Sequence, residues 1–75
     1  MSVGMRVRDR ETLRGFVRLM HLSERALAVQ AGVGHATVNH LLSGRRETCS
    51  QETARAIEHV LGCAEGVFFE RIDAL

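Results

Sequence analysis

Residues 23–44 read SERALAVQAGVGHATVNHLLSG and decide the fold. Ser23 is a residue type that caps helix N-termini, and the apolar positions after it predict a short helix with the small Ala28 at its middle. Gly32 ends this helix, because glycine adopts the left-handed conformation of a helix C-terminus without strain. A second helix of about eight residues follows and stops at Gly44 for the same reason. The stretch therefore predicts two short helices joined by a tight turn, the helix-turn-helix arrangement.

The segments on both sides of this stretch show helical patterns as well. From Asp9 onward, apolar residues recur at positions i, i+3, i+4 and i+7, which is one face of a helix. Ser50 is placed to cap a fourth helix that Gly62 ends, with residues 45–49 as a loop before it. A last short helix is predicted over residues 65–73. The expected fold class is all-α, a compact bundle of about five short helices.

Length and composition indicate one globular domain. The chain has 75 residues, of which 45% are hydrophobic and 25% charged, so it is too short for two domains and too apolar for disorder. No apolar run approaches the ~20 residues of a membrane span, and the N-terminus lacks the apolar core of a signal peptide. We therefore expect no membrane association and a cytoplasmic location. Residues 1–8, which show no clear periodicity, are expected to form a flexible basic N-terminal arm, and residues 9–75 the folded domain.

Charge is distributed unevenly along the chain. Residues 1–46 carry eight arginines against three acidic residues, whereas residues 47–75 carry two arginines against six acidic residues. The net charge of +1 therefore hides a basic first part and an acidic second part. Such an asymmetry is typical of a protein with a nucleic-acid-binding face at one end, unless local ion pairs scatter the charge.

A set of small and apolar positions is shared with a known family. These positions are Leu27-Ala28, Ala31-Gly32-Val33, Val38, Leu41, Ser43-Gly44, Ala56-Ile57 and Leu61-Gly62-Cys63. Through them the chain resembles, from Leu13 to Phe69, the DNA-binding domains of the phage Cro and lambda-repressor-like family. The resemblance implies a lambda-repressor-like five-helix bundle that binds operator DNA as a dimer to control transcription. One departure is Glu24, which stands where many members carry a glutamine that contacts phosphate.

A helical wheel divides the second helix of the motif into two sides. The side that packs carries Thr37, Val38 and Leu41, and the opposite side carries His35, Ala36, Asn39, His40 and Ser43. The second side is the one that a recognition helix turns toward the major groove. Asn39 has the donor and the acceptor to hold the edge of adenine, and a histidine can donate to guanine. The predicted base-reading residues are therefore His35, Ala36, Asn39 and His40.

Polar and basic residues near the helix ends suit contacts to DNA phosphates, which fix the position of a protein on the duplex. The predicted phosphate contacts are Arg25, Ser43, Arg45 and Arg46. Arg6 and Arg8 on the expected arm are candidates for further contacts with a groove or the backbone. The alternative for these two residues is a solvated arm that makes no contact.

No metal site, cofactor or catalytic centre is expected. His35 and His40 lie five residues apart, about 140° around a helix, which is unsuited to sharing one ion. His59 and Cys63 lie four residues apart, but Gly62 breaks the helix between them. The sequence has no CxxC or HExxH motif and no Gly-rich phosphate loop. We therefore do not expect an enzyme or a protein with a small-molecule substrate.

The resulting hypothesis is a small Cro-like phage repressor that binds a pseudo-palindromic operator through the major groove, in the cytoplasm of a bacterial host cell. With no second domain to assemble it, homodimer contacts, at least on DNA, are expected from the C-terminal segment. The predicted contact residues are Val67, Phe68, Phe69, Ile72 and Leu75, and burial within the monomer is the alternative. Two other functions stay open. One is the antitoxin of a toxin–antitoxin pair with autoregulatory DNA binding, and the other is a protein-interaction module that kept the fold.

Overall fold

The structure, a computed structural model, describes residues 3–73, which fold into four helices and a three-stranded sheet. In chain order the elements are β1 (Val3–Val7), α1 (Arg10–Leu19), α2 (Glu24–Ala31), α3 (His35–Ser43), β2 (Thr48–Ser50), α4 (Gln51–Val60) and β3 (Phe69–Asp73). The predicted all-α bundle of five helices is therefore wrong in part: the helical core is present, but a sheet accompanies it. Leu75, one of the predicted dimer contacts, lies outside the described residues.

The first four predicted helices are confirmed, together with the residues that cap three of them. Asp9 Oδ1 accepts the backbone N–H groups of Glu11 and Thr12 at 3.0 and 3.3 Å, ahead of α1. Ser23 and Ser50 cap α2 and α4 in the same way through their hydroxyl oxygens. Each cap satisfies an N–H group that has no partner inside its own helix, and such a cap stabilises a helix by about 1 kcal/mol.

The three strands form an antiparallel sheet in the order β2-β1-β3. Met5 in the central strand pairs with Cys49 of β2 on one side and with Arg71 of β3 on the other. The flexible arm predicted over residues 1–8 is therefore wrong for its described part, since β1 is held from both sides. The helix predicted over residues 65–73 is also wrong, because its second half is the strand β3.

Side chains alternate between core and surface along β1 and over the first two residues of β3. In β1, Met5 is buried, Arg6 is exposed and Val7 is half-buried, and in β3 the buried Phe69 is followed by the half-buried Glu70. A period of two suits a half-buried strand. On the outer face of the sheet, Arg6 Nε donates to Glu70 Oε2 at 2.9 Å, which ties β1 to β3 across 64 residues of sequence.

The core combines side chains from all four helices with side chains from all three strands. Its largest fully buried apolar side chains are Phe69, Leu13, Leu27, Leu41, Ile57, Leu61 and Val38. Phe68 packs against Phe16 with ring centroids 5.3 Å apart and a tilt of 52°, an arrangement that aromatic pairs favour. Phe68 and Phe69 are only 4% and 0% exposed. Their prediction as dimer contacts is therefore wrong, because both complete the core of the monomer.

Glu58 on α4 is the one charged residue that is buried among residues 4–72, whose burial the structure describes, and it is 1% exposed. Its Oε2 accepts the backbone N–H groups of Gly66, Phe68 and Phe69 at 3.0, 3.0 and 3.2 Å, and Oε1 accepts Gly66 N–H at 3.2 Å. A buried carboxylate is costly unless hydrogen bonds replace its water. Glu58 therefore fastens the start of β3 to α4, a role that its position in an acidic stretch of sequence does not reveal.

Candidate nucleic-acid interface

The turn between α2 and α3 is built on a glycine. Gly32 has φ 70° and ψ 29°, the left-handed conformation, and its N–H donates to Val29 O at 3.2 Å. Val33 N–H then donates to Ala28 O at 3.0 Å and closes the end of α2. Because Gly32 reverses the chain within so few residues, α3 begins three residues later and packs against α2. The predicted helix-turn-helix is confirmed.

The two sides of α3 differ as the helical wheel predicts. Val38 and Leu41 are buried in the core, and Leu42 is buried with them. On the other side His35, Ala36, Asn39 and Ser43 are exposed, while His40 is half-buried. Contact of these residues with DNA bases stays a prediction.

Glu24, the first residue of α2, reaches the exposed side of α3. Asn39 Nδ2 donates to Glu24 Oε1 at 2.9 Å, and His35 Nε2 lies 3.9 Å from the same oxygen. Two of the predicted base-reading residues therefore share one carboxylate. The sequence marks Glu24 only as a departure from the family pattern, and the contact depends on how the two helices cross.

The C-terminal end of α3 lies beside several arginines. Gly44 ends the helix with φ 86°, and the guanidinium of Arg10 lies so close that a Cβ at position 44 would collide with it. Arg8, Arg10 and Arg46 line a shallow cleft of about 320 Å³ there, together with Leu41 and acidic residues. The sequence does not indicate that Arg10 lies at this end of α3, because only folding brings α1 next to Gly44.

The other predicted phosphate contacts lie in different surroundings. Arg25 is exposed on the first turn of α2, and Arg45 is exposed just after α3. Ser43 Oγ donates to His40 O and accepts from Arg45 N–H, both at 3.4 Å, so its hydroxyl is used within the end of the helix. Phosphate contact by any of these residues stays a prediction.

Arg6 and Arg8 do not lie on a free arm. Arg6 Nη2 lies 2.8 Å from Glu70 Oε2, and Arg8 Nη1 lies 3.6 Å from Glu70 Oε1. Arg8 Nε also donates to Gly66 O at 2.7 Å. Two arginines of the basic first part are thus paired with a glutamate of the acidic second part, which reduces the charge asymmetry that the sequence suggests.

The described residues were also compared with the requirements of a metal site, a reactive thiol and a membrane span. Within residues 3–73, no three His, Cys, Asp or Glu side chains gather where they would hold a metal ion. Cys49 and Cys63 are free thiols. Burial raises the pKa of the Cys49 thiol to about 11, partly offset by the charge of Arg46. In the same range of residues, none of the helices is long and apolar enough to cross a membrane.

Two short helices joined at Gly32, with an exposed polar face on the second helix and arginines at its end, define the class of helix-turn-helix DNA-binding domains. The chain matches, over residues 14–68, the family described as helix-turn-helix, and it belongs to that family. The resemblance to the Cro and lambda-repressor-like family is thereby confirmed.

Membership makes the chain a DNA-binding transcription regulator of the Cro/C1 type, and the family is a regulatory family and not a family of enzymes. Comparison with curated proteins and with solved structures gives no significant match.

Proposed function

We propose that the chain is a sequence-specific regulator of double-stranded DNA, a Cro-like phage repressor that inserts α3 into the major groove of an operator. The observation that carries the proposal is the division of α3 into two sides. Val38 and Leu41 hold the helix in the core, and His35, Asn39 and Ala36 project away from it. Reading base edges requires donors and acceptors at fixed positions, which a packed helix supplies.

Each exposed side chain of α3 has a role in this proposal. Asn39 holds the N6 and N7 atoms of an adenine, and Ala36 contacts a thymine methyl group. His35 and His40 donate to guanine N7 or O6, or to phosphate.

Phosphate contacts surround this reading face. In the proposal, contacts from Arg25, Ser43, Arg45 and Arg46 position the protein on the duplex, and Arg10 joins them because its guanidinium lies at the end of α3. Arg6 and Arg8 are ion-paired with Glu70, so in the proposal they contact DNA only if these ion pairs break.

We further propose that the protein acts as a homodimer, at least on DNA, because a pseudo-palindromic operator has two half-sites related by a twofold axis. Of the predicted contact residues, Val67 is 49% exposed, and Ile72 is half-buried over Gly4 on the outer face of the sheet. β3 is an edge strand of that sheet, and edge strands carry backbone groups open to pairing. The proposed interface therefore keeps Val67 and Ile72 and leaves out Phe68 and Phe69. Leu75, which lies outside the described residues, stays a predicted contact.

The antitoxin alternative needs an acidic surface that binds a basic toxin. Glu58 is buried, Glu70 pairs with Arg6, and Glu65 Oε1 lies 3.3 Å from Arg55 Nε. Three acidic groups of the second part are thus engaged within the chain, which weakens this alternative. The protein-interaction alternative draws its support from Glu24, a carboxylate on the surface that would face phosphates.

Selection of bound sites from random duplex DNA tests the proposal. The expected result is enrichment of one short motif in inverted repeat, with half-site centres separated by about one helical turn, 10–10.5 base pairs, or a multiple of it. Enrichment of no sequence would overturn the proposed function and favour the protein-interaction alternative. Enrichment of single, unrepeated half-sites would retain DNA reading and overturn the homodimer.

A further inference from the structure

The arginines of the chain fall into two groups according to their ion pairs. Arg6 and Arg8 lie beside Glu70 on the sheet, and Arg55 Nε lies 3.3 Å from Glu65 Oε1. A carboxylate partner offsets the charge of an arginine and leaves less of it for another anion. The arginines of α1 belong to the second group, which has no such close partner within residues 3–73.

Three arginines form a row along α1. Arg10, Arg14 and Arg18 recur every four residues, so they lie on one side of the helix, and all three are exposed. At a rise of 1.5 Å per residue, the row is about 12 Å long. Arg14 Nη1 lies 3.9 Å from Glu11 Oε1, and an ion pair between such exposed side chains is weak. We call these three residues the α1 arginine row.

The stability of α1 does not explain the α1 arginine row. Like charges four residues apart on a helix repel each other and destabilise it by a few tenths of a kcal/mol. Only Arg18 stands in the last turn, where a cation is favourable at the C-terminal end of a helix. The row therefore costs the helix some stability, which indicates a partner outside the chain.

The α1 arginine row borders the helix-turn-helix. Arg10 lies in the cleft at the C-terminal end of α3. Arg14 and Arg18 line a second shallow cleft of about 290 Å³, together with Leu42 of α3 and Glu24, the first residue of α2. Two arginines outnumber the one carboxylate there, so the charge of this cleft is positive. The row thus runs beside α3, from the end of that helix to the start of α2.

A sugar-phosphate backbone fits this arrangement. Each strand of B-DNA carries one negative charge per ~3.4 Å of helix axis, and a helix that enters the major groove has a backbone on either side of it. A row of cations about 12 Å long beside that helix can therefore meet two or three phosphates. The guanidinium group suits this partner, because its planar fork binds a phosphate with two donors. An acidic protein segment has the same sign of charge but no such regular spacing.

We propose that the α1 arginine row is a second DNA-binding surface, which holds the phosphate backbone beside the groove that α3 enters. Its contacts do not depend on base sequence, so the row contributes affinity for any duplex and keeps the protein on DNA while α3 samples different sequences. The proposal rests on the proposed function, because the row lies beside a backbone only when α3 occupies the groove.

The test measures how the affinity of the full chain depends on salt. Fluorescence anisotropy gives the affinity for the selected operator and for a scrambled duplex of equal length. In the double variant Arg14→Gln with Arg18→Gln, the slope of log affinity against log salt is expected to fall by about 1.8, since each lost phosphate contact removes about 0.9. The affinity at about 0.1 M salt is expected to fall about tenfold or more on both duplexes, which leaves the preference for the operator unchanged.

Two controls separate charge from other effects of substitution. Arg14→Lys with Arg18→Lys keeps both charges and is expected to keep the slope of the wild-type protein. Arg55→Gln removes an arginine of similar exposure, 53% against 44% for Arg14, that is paired with Glu65 away from the row. This variant is expected to leave the slope unchanged.

Two results would overturn the proposal. An unchanged salt slope in the double glutamine variant would do so, and would favour an acidic protein partner for the row. A loss of affinity confined to the operator would do so as well, because the row would then contribute to sequence reading. Since the slope can be measured on any duplex, both results are distinct from a failure to select a DNA sequence, which removes the proposed function itself.

Discussion

Removal of the Glu58 carboxylate tests the energetics of this fold most sharply. In Glu58→Ala, three backbone N–H groups lose their acceptor, those of Gly66, Phe68 and Phe69. A buried N–H left without a partner costs about 1–3 kcal/mol. Gly66 is only half-buried and can recover water, whereas Phe68 and Phe69 are buried. For the two buried N–H groups we therefore expect a combined loss of about 2–6 kcal/mol in the free energy of unfolding.

Such a loss is large for this chain. At 0.05–0.15 kcal/mol per residue, a domain of 75 residues has an unfolding free energy of about 4–11 kcal/mol. Glu58→Gln keeps one acceptor oxygen but loses the negative charge, which lowers the stabilisation from each hydrogen bond by about 1 kcal/mol. The expected order of stability is therefore wild type, then Glu58→Gln, then Glu58→Ala.

Urea denaturation followed by circular dichroism measures these losses. Glu52→Gln on the same helix is the control, because Glu52 is exposed and its replacement should change stability by no more than about 0.5 kcal/mol. The slope of the unfolding free energy against urea should stay the same, since the folded core is unchanged. A loss below about 1 kcal/mol in Glu58→Ala would refute the reasoning that this carboxylate fastens β3 to α4.

Three further outcomes are expected. Gly44→Ala and Gly32→Ala each place a side chain at positive φ and should each cost about 1–2 kcal/mol of stability in urea denaturation. Only Gly44→Ala should also weaken DNA binding, because its Cβ displaces Arg10. Equal DNA affinities of the Gly44→Ala and Gly32→Ala variants would contradict a role of Arg10 in DNA binding. Arg46→Ala should reduce the slope of log affinity against log salt by about 0.9 in anisotropy titrations if Arg46 contacts one phosphate, and an unchanged slope would exclude that contact. The thiolate is the reactive form of cysteine, and the pKa of the Cys49 thiol is raised to about 11. A thiol reagent at pH 8 should therefore modify Cys63 first and Cys49 only on unfolding. Prompt modification of both thiols would contradict the burial of Cys49.

The helix-turn-helix could be predicted because its signals are local. Ser23 and its partner N–H lie three residues apart, and Gly32 and Gly44 act on the turns in which they stand. Such signals act within one helical turn, and no distant contact is needed to see them. The buried and exposed sides of α3 follow from helical geometry for the same reason.

The sheet could not be predicted in the same way. β1 and β3 pair residues that stand more than 60 positions apart, such as Arg6 with Glu70, and each strand has five residues. A pattern with a period of two is weak over so few positions, and neither strand is stable alone. In the sequence Phe68 and Phe69 suggest an apolar surface for a partner. In the fold both are buried and complete the core beside the helices.

In the candidate site, too, features within one helix could be predicted and contacts between helices could not. The exposed side chains His35 and Asn39 follow from the sequence, because they belong to one helix. The contact of Asn39 with Glu24 spans 15 residues and two helices, and its existence depends on their crossing. The approach of Arg10 to Gly44 likewise depends on how α1 packs. Contacts between elements determine how the reading residues are held, and a single sequence does not display them.

The central claim is that the exposed face of α3 reads DNA sequence, and Asn39→Ala tests it most directly. Its affinity is measured by anisotropy for the selected operator and for a scrambled duplex of equal length, at one salt concentration. We expect a loss of about five- to 150-fold on the operator and a change of less than about twofold on the scrambled duplex. Equal losses on both duplexes would contradict the claim, because Asn39 would then contribute to binding without contributing to specificity.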